Sequence, residues 1–242
     1  MVERDLKFLT ERDRQPELMD QPGLDRETHH RALDGLRVAN SISRTSQVVW
    51  GGIKKAGIYR INGRPLRILD IATGGGDVAI GVAKLAAGQG IAVEVHGCDI
   101  NVTAVEYAQS VANQANLSGT KFFQLNALVD PLPEEYDVLM STLFFHHLGN
   151  GDARQLLGRM VKSAKRCILV DDLYRTRLGY FFAWAGARML TRSHIVHTDG
   201  PLSVSAAFTI SEFRQLAQDA GLRGVQFRRH WPQRFLMSWT KV

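Results

Sequence analysis

The sequence has little cysteine, little proline and no long apolar run. Its two cysteines, Cys98 and Cys167, each fall inside a short strand-like stretch, which excludes a disulfide framework and a Cys-x-x-Cys metal site. The longest apolar stretch, residues 178–187, is too short for a bilayer core of about 30 Å, so no transmembrane segment is expected. Residues 1–20 lack the apolar segment and cleavage site of a secretory leader, and they lack helical periodicity. We read them as an extended arm with no assignable chemistry, and the protein as cytoplasmic. Internal repeats and low-complexity tracts are absent too. No block of one charge occurs: 30 Lys and Arg against 24 Asp and Glu leave a net +6 spread along the chain, which argues against a stable nucleic-acid complex.

What is present is rhythm. Residues 66–72, 93–99, 121–125, 136–142 and 166–172 are short apolar runs that read as buried strands, and residues 77–87, 102–115 and 152–163 between them carry helical spacing. That alternation predicts an α/β fold with a doubly wound, mostly parallel sheet. Two terminal runs, 225–231 and 234–241, joined at Pro232 and Gln233, add an antiparallel hairpin and bring the expected sheet to seven strands. Ahead of the sheet, a helix capped by Asp25 places Ala32, Leu33, Leu36 and Ala39 on one face, and a second surrounds Val48, Val49, Trp50 and Ile53. Residues 1–60 are therefore read as arm and helical cap, and 61–242 as a Rossmann-like domain with an apolar insert at about 173–208. In that insert Tyr180, Phe181, Phe182, Trp184 and Met189 are expected to form a water-excluding lid, followed by a polar loop. Thr209 and Glu212 form a capping box for the last helix, with Gly221 as its stop.

The sharpest motif is LDIATGGGD, a strand ending in Asp70 that runs into Gly74, Gly75 and Gly76 before a helix. Read as Gly74, Gly76 and Ala79 it also fits a dinucleotide fingerprint, so alone it does not separate a nicotinamide enzyme from other nucleotide binders. Asp99 ends the second strand, where a carboxylate can accept both ribose hydroxyls. Asn126 and Ala127 end the third. This ordered set resembles the class I S-adenosylmethionine-dependent methyltransferases, with Ala72 standing where the family usually has its first glycine. The resemblance implies S-adenosylmethionine as cofactor, with Asp70 orienting the loop and the methionine amino group. It also implies Ile100 packed on the adenine and Asn126 bonded to the adenine amino group through its side-chain oxygen, while Gly75, Ala127 and Thr142 complete the lining.

Methyl transfer needs an aligned acceptor and, for a phenol or enol, a proton acceptor. The stretch STLFFHHL supplies Phe144, Phe145, His146 and His147 after the fourth strand. Adjacent residues point apart, so one imidazole is expected to face the acceptor: His147 first, His146 second, with a plain turn cap as the alternative. Phe145, Asp172, His197 and Asp199 are the expected substrate contacts. His194 and His197 lack a third ligand at a metal spacing, so no metal is expected. The layout resembles the methyltransferases of ubiquinone and menaquinone synthesis and related bacterial small-molecule enzymes. It implies a small hydrophobic acceptor, whether aromatic, quinone-like, polyketide or lipid, methylated on oxygen or carbon, with peripheral membrane contact left open. Three alternatives stand beside it. Arg228, Arg229, Trp231 and Arg234 interleave cation and aromatic as a nucleic-acid methyltransferase would. The glycine motif allows an NAD(P)-dependent oxidoreductase, although no YxxxK pair follows. A non-catalytic cofactor-binding module would keep the fold without turnover.

Overall fold

A strand covered on both faces must be apolar at every position, and the sequence obeys this most fully at the centre of the sheet. In the computed structural model, which describes residues 9–18, 26–59, 61, 63–190 and 194–241, the apolar runs become β1 (Leu66–Ile71), β2 (Val93–Asp99), β3 (Thr120–Gln124), β4 (Val138–Thr142) and β5 (Cys167–Leu173). All five are parallel, and the buried Cys98 and Cys167 are free thiols on β2 and β5. The hairpin β6 (Gln226–His230) and β7 (Arg234–Thr240) completes the sheet, β7 pairing antiparallel with β5. The strand order is β3-β2-β1-β4-β5-β7-β6, so the chain reverses direction across the sheet between β1 and β4. In open α/β sheets the crevice for a ligand opens at such a switch point, beyond the carboxyl ends of the strands.

Helices cover both faces. On one, Leu69, Ile71 and Val170 pack with Leu156 of α5 (Asn150–Ser163) and Phe213 of α8 (Ile210–Asp219). On the other, Ile68 and Leu169 pack with Val82 of α3 (Asp77–Ala87) and with Trp50 and Ile53 of α2 (Thr45–Lys55). The remaining helices are α1 (Arg26–Ile42), α4 (Val102–Gln114), α6 (Arg177–Leu190) and α7 (His194–Ala206). The expected cap Asp25 of α1 lies outside the described residues. α2 shares its core with the strands, and the buried Arg234 of β7 fastens the junction by donating to Asn40 Oδ1 (2.9 Å) and Thr45 Oγ1 (2.8 Å).

Two expectations change. The stretch read as a polar loop folds into α7 despite Pro201 inside it, because packing buries Ile195, Asp199, Pro201 and Val204 and outweighs the turn signal of Asp199-Gly200-Pro201. The apolar insert is a helix, α6, but Leu178, Phe181, Trp184 and Met189 remain 45% to 83% exposed. The capping box holds as read: Thr209 Oγ1 accepts from Glu212 N–H and Thr209 N–H donates to Glu212 Oε2.

Candidate functional site

The turn after β1 departs from ordinary backbone three times: Ala72 lies at φ +56°, Gly74 at +52° and Gly76 at +73°. A left-handed conformation explains why glycine suits position 72, and Ala72 carries a strain of about 1 kcal/mol there. Gly76 is fixed by space as well, since a Cβ would stand 2.8 Å from Ala108 Cβ and from the Phe122 ring. The loop thereby presents backbone without side chains at the N-terminus of α3, where a ligand can lie against it. Thr73 Oγ1 donates to Asp70 Oδ2 (2.8 Å), while Asp70 Oδ1 is buried with no hydrogen-bond partner. Burial pushes the Asp70 carboxyl up to about 8, with the Thr73 bond opposing and Asp77 and Asp99 adding to the rise. An orphaned acceptor at the base of a glycine turn fits a cationic ligand group.

Asp99 clamps this loop to the next strand. Gly74 N–H donates to Asp99 Oδ2 (2.9 Å) and Asn101 N–H to Asp99 Oδ1 (2.9 Å). The cap of α4 is Asn101, whose Oδ1 accepts from Thr103 and Ala104, so Asp99 is not the cap of that helix. Ile100, Val102 and Val129 stand 62%, 47% and 72% exposed near the ends of β2 and β3. Asn126 turns the chain after β3: its Oδ1 accepts from Leu128 N–H (3.0 Å) and its own N–H donates to Asp130 Oδ2 (2.7 Å). That oxygen, assigned in the sequence to the adenine amino group, is already part of a turn. Ala127 and Thr142 are buried beside the strand ends. The glycine turn, the unsatisfied Asp70 oxygen, the Asp99 carboxylate and an exposed aliphatic neighbour together fit an adenosyl sulfonium amino acid.

At the end of β4 the chain again turns left-handed, at Leu143 (φ +52°), whose N–H donates to Asp171 O (2.9 Å). It then winds into one turn of 3-10 helix, Phe145–His147. This splits the motif. Phe145 is fully buried and packs edge to face on Phe213 at 5.2 Å, so it is a core residue rather than the substrate contact expected of it. His146 is buried, with Nδ1 2.7 Å from Asp172 Oδ1 and its N–H donating to Asp172 Oδ2 (3.2 Å). Burial opposes the ionisation of Asp172, but His146, the Leu173 amide and His147 together hold the carboxyl below its usual range. Nδ1 therefore carries the proton, a tautomer assigned from this contact. His147 is one quarter exposed and stacks with Phe144 (centroids 6.3 Å, 29°).

The arm, read as free of chemistry, delivers a missed residue. Glu17 is buried, its Oε1 3.8 Å from His146 Nε2 and its Oε2 3.9 Å from His147 Nε2, and Ser203 Oγ donates to Oε1 (2.6 Å). Among the described residues, Glu17, His146 and His147 are the group whose ligand atoms all lie within 4.8 Å of one another. The arm is held there by Arg12, which donates to the carbonyls of Ala206 (2.7 Å), His146 (3.1 Å) and Leu148 (2.9 Å) and to Asn150 Oδ1 (2.9 Å). Its guanidinium also lies 3.5 Å from the centroid of the Phe208 ring. Asp199 is buried and accepts from Leu18 N–H (2.9 Å), so it anchors the arm, while His194 and His197 sit in the first turn of α7, outside the converging group. No periodicity or motif marks Glu17; its importance comes from where the arm docks.

The interleaved basic run is not one surface. Arg234 is 4% exposed inside the sheet, whereas Arg229 lies against Tyr174 at the surface.

Comparison with known proteins finds similarity over part of the chain. Residues 68–166 match a family described as a methyltransferase domain. A curated relative, ribosomal protein L11 methyltransferase of Syntrophotalea carbinolica, is 34% identical over 91 residues, which is 36% of this chain and 27% of that protein. The chain thus spans about a quarter of the length of that relative. Among solved structures, magnesium protoporphyrin IX methyltransferase of Synechocystis PCC 6803 with bound SAH is 16% identical over 85% of this chain and 86% of that one, with a TM-score of 0.59. The S-adenosylmethionine-dependent methyltransferase SibL, in its apo form, is 16% identical over 97% of this chain and 64% of that one, with a TM-score of 0.65. Identities this low make the likeness one of fold.

Proposed function

We propose that this chain, whose residues 68–166 carry a methyltransferase domain in a class I fold, transfers the methyl group of S-adenosylmethionine to an oxygen or carbon of a small hydrophobic acceptor. The observation that carries the reading is the ordered set at successive strand ends: Asp70 and the glycine turn after β1, Asp99 with the exposed Ile100 after β2, and Asn126 after β3, all beside the switch between β1 and β4. S-adenosylmethionine supplies an activated methyl group on a sulfonium. Asp99 accepts the ribose hydroxyls, Ile100 and Ala127 pack on the adenine, Thr142 closes the floor, and Asp70 receives the amino group. The Asn126 side-chain oxygen already accepts from Leu128, which leaves the Asn126 amide nitrogen to meet the adenine edge.

Beside this, Phe144 and the cluster of Glu17, His146 and His147 receive the acceptor, and His147, the more exposed imidazole, is the member it reaches first. Asp172 and Asp199 act behind that surface, one orienting His146 and the other tethering the arm. The exposed apolar face of α6 suits a hydrophobic acceptor. Inward burial of Arg234 weighs against a nucleic-acid substrate. The test is transfer of labelled methyl from S-adenosylmethionine to a panel of phenols, quinols, polyketide enols and fatty acids, run beside tRNA, DNA and ribosomal protein. The reading expects label in an organic-extractable product. Label confined to macromolecules contradicts it.

A further inference from the structure

Two imidazoles and a carboxylate converge where the arm crosses the turn after β4, and nothing in the sequence motifs accounts for the third partner. The chemistry of their approach is specific. His146 directs Nδ1 at Asp172 (2.7 Å), which leaves Nε2 facing Glu17 Oε1 at 3.8 Å. His147 Nε2 faces the other carboxylate oxygen at 3.9 Å. Both separations are too long for hydrogen bonds. A buried carboxylate facing two imidazole nitrogens beyond hydrogen-bond reach is balanced by a cation, either a proton on an imidazole or a metal ion set between the three groups.

We propose that Glu17, His146 and His147 form a binding site for a first-row divalent transition ion of the zinc class. Three ligands held tetrahedrally at about 2.1 Å from an ion lie about 3.4 Å apart, and the ligand atoms here, all within 4.8 Å of one another, need to draw together by at most about 1.4 Å, a movement within the reach of side-chain rotation. Imidazole nitrogens select transition ions over magnesium and calcium, which prefer all-oxygen shells. The outer shell is already built: Asp172 fixes the tautomer and ring of His146, and Ser203 Oγ fixes Glu17 Oε1 at 2.6 Å. Two neighbouring imidazoles are brought to a common side by the 3-10 turn, their centroids 4.3 Å apart. With three protein ligands, a fourth position remains for water or an acceptor oxygen, the arrangement of a catalytic rather than a structural zinc site. Its use in chemistry rests on the methyl-transfer reading: a hydroxyl bound to the ion gives its proton to solvent, and the oxygen then forms the O–CH3 bond as the S–CH3 bond breaks and S-adenosylhomocysteine leaves.

Binding is testable without knowing the acceptor. The full chain, freed of any affinity tag and stripped with a chelator, is titrated with Zn2+ by calorimetry and with Co2+ by visible absorption. S-adenosylmethionine is titrated into the same samples. The proposal expects one equivalent of metal per chain, a Co2+ spectrum of low coordination number, and at least a hundredfold weaker binding in Glu17→Gln and in His147→Asn. Asp172→Asn is expected to weaken it ten- to a hundredfold. Glu17 lies on the arm outside the cores, so Glu17→Gln tests the site without threatening the fold. The absence of a stoichiometric metal in the wild-type chain overturns the proposal. So does metal binding that survives either Glu17→Gln or His147→Asn. S-adenosylmethionine binding that persists in those variants separates the failure of this site from a failure of the cofactor reading.

Discussion

Asp70 shows how a single buried oxygen can couple the cofactor site to pH. Its side chain is fully buried, one oxygen is held by Thr73 and the other has no partner, and burial lifts the carboxyl to about 8. Between its usual carboxylate range, near 4, and about 8, the folded cofactor-free protein therefore holds a proton that the unfolded chain has lost. Stability is thus greatest below that range and falls as pH rises through it. A cationic amino group placed against Asp70 reverses the preference and expels the proton. We expect calorimetry at pH 7 in two buffers of different ionisation enthalpy to show proton release when S-adenosylmethionine binds, with affinity rising toward pH 8. Asp70→Asn should abolish the release, and an unchanged proton count in that variant would count against the assignment. Much at this scale could be read from the chain. Gly74, Gly76, Asp70 and Asp99 announce themselves because close backbone approach and a strand-end carboxylate demand those residue types. Phe145 could not be told from a pocket residue, since an aromatic beside a histidine looks the same whether it faces the core or a ligand.

The elements that the sequence made plain are those whose partner is the sheet. Strands buried on both faces are continuous apolar runs and crossover helices have an apolar stripe, so β1 to β5 and α3 to α5 were found within two residues of their ends. The elements that escaped are those ordered by each other. α7 contains a turn-like Asp-Gly-Pro and becomes helical only because α6, the arm and the turn after β4 enclose it. Residues 9–18 have no periodicity, and their order depends on contacts across the chain, chief among them Arg12 reaching three carbonyls and an amide oxygen, beside the bonds of Asp13 N–H to Ser205 O, Leu18 N–H to Asp199 and Arg175 to Leu9 O. Each such charge-assisted bond is worth about 1.5 to 3 kcal/mol when its partner is buried, and the set is not additive. Arg12→Ala is therefore expected to free the arm without disturbing the sheet. Amides of residues 9–18 should exchange at least tenfold faster with deuterium while those of β1 and β4 are unchanged. Equal protection of the arm in variant and wild type would show that other contacts hold it.

On the scale of the whole molecule, the fold sets the function's geography. The seven-stranded sheet reverses between β1 and β4, and the carboxyl ends of β1 to β5 with the turns that follow them carry most of the residues singled out for chemistry. The helical cap and arm join from the amino-terminal side, α1 against the glycine turn through Tyr107 and Asp34, and the arm against the imidazole pair. The most direct test is titration of S-adenosylmethionine and of NAD into the wild-type chain and into Asp99→Ala by isothermal calorimetry. Loss of the bonds from the ribose hydroxyls to a carboxylate costs about 1.5 to 3 kcal/mol, or roughly ten- to a hundredfold in affinity. One equivalent of S-adenosylmethionine bound by the wild type, weakened by that factor in Asp99→Ala, with no heat from NAD, is the predicted result. Binding of NAD in place of S-adenosylmethionine, or equal S-adenosylmethionine affinity in both proteins, would contradict it.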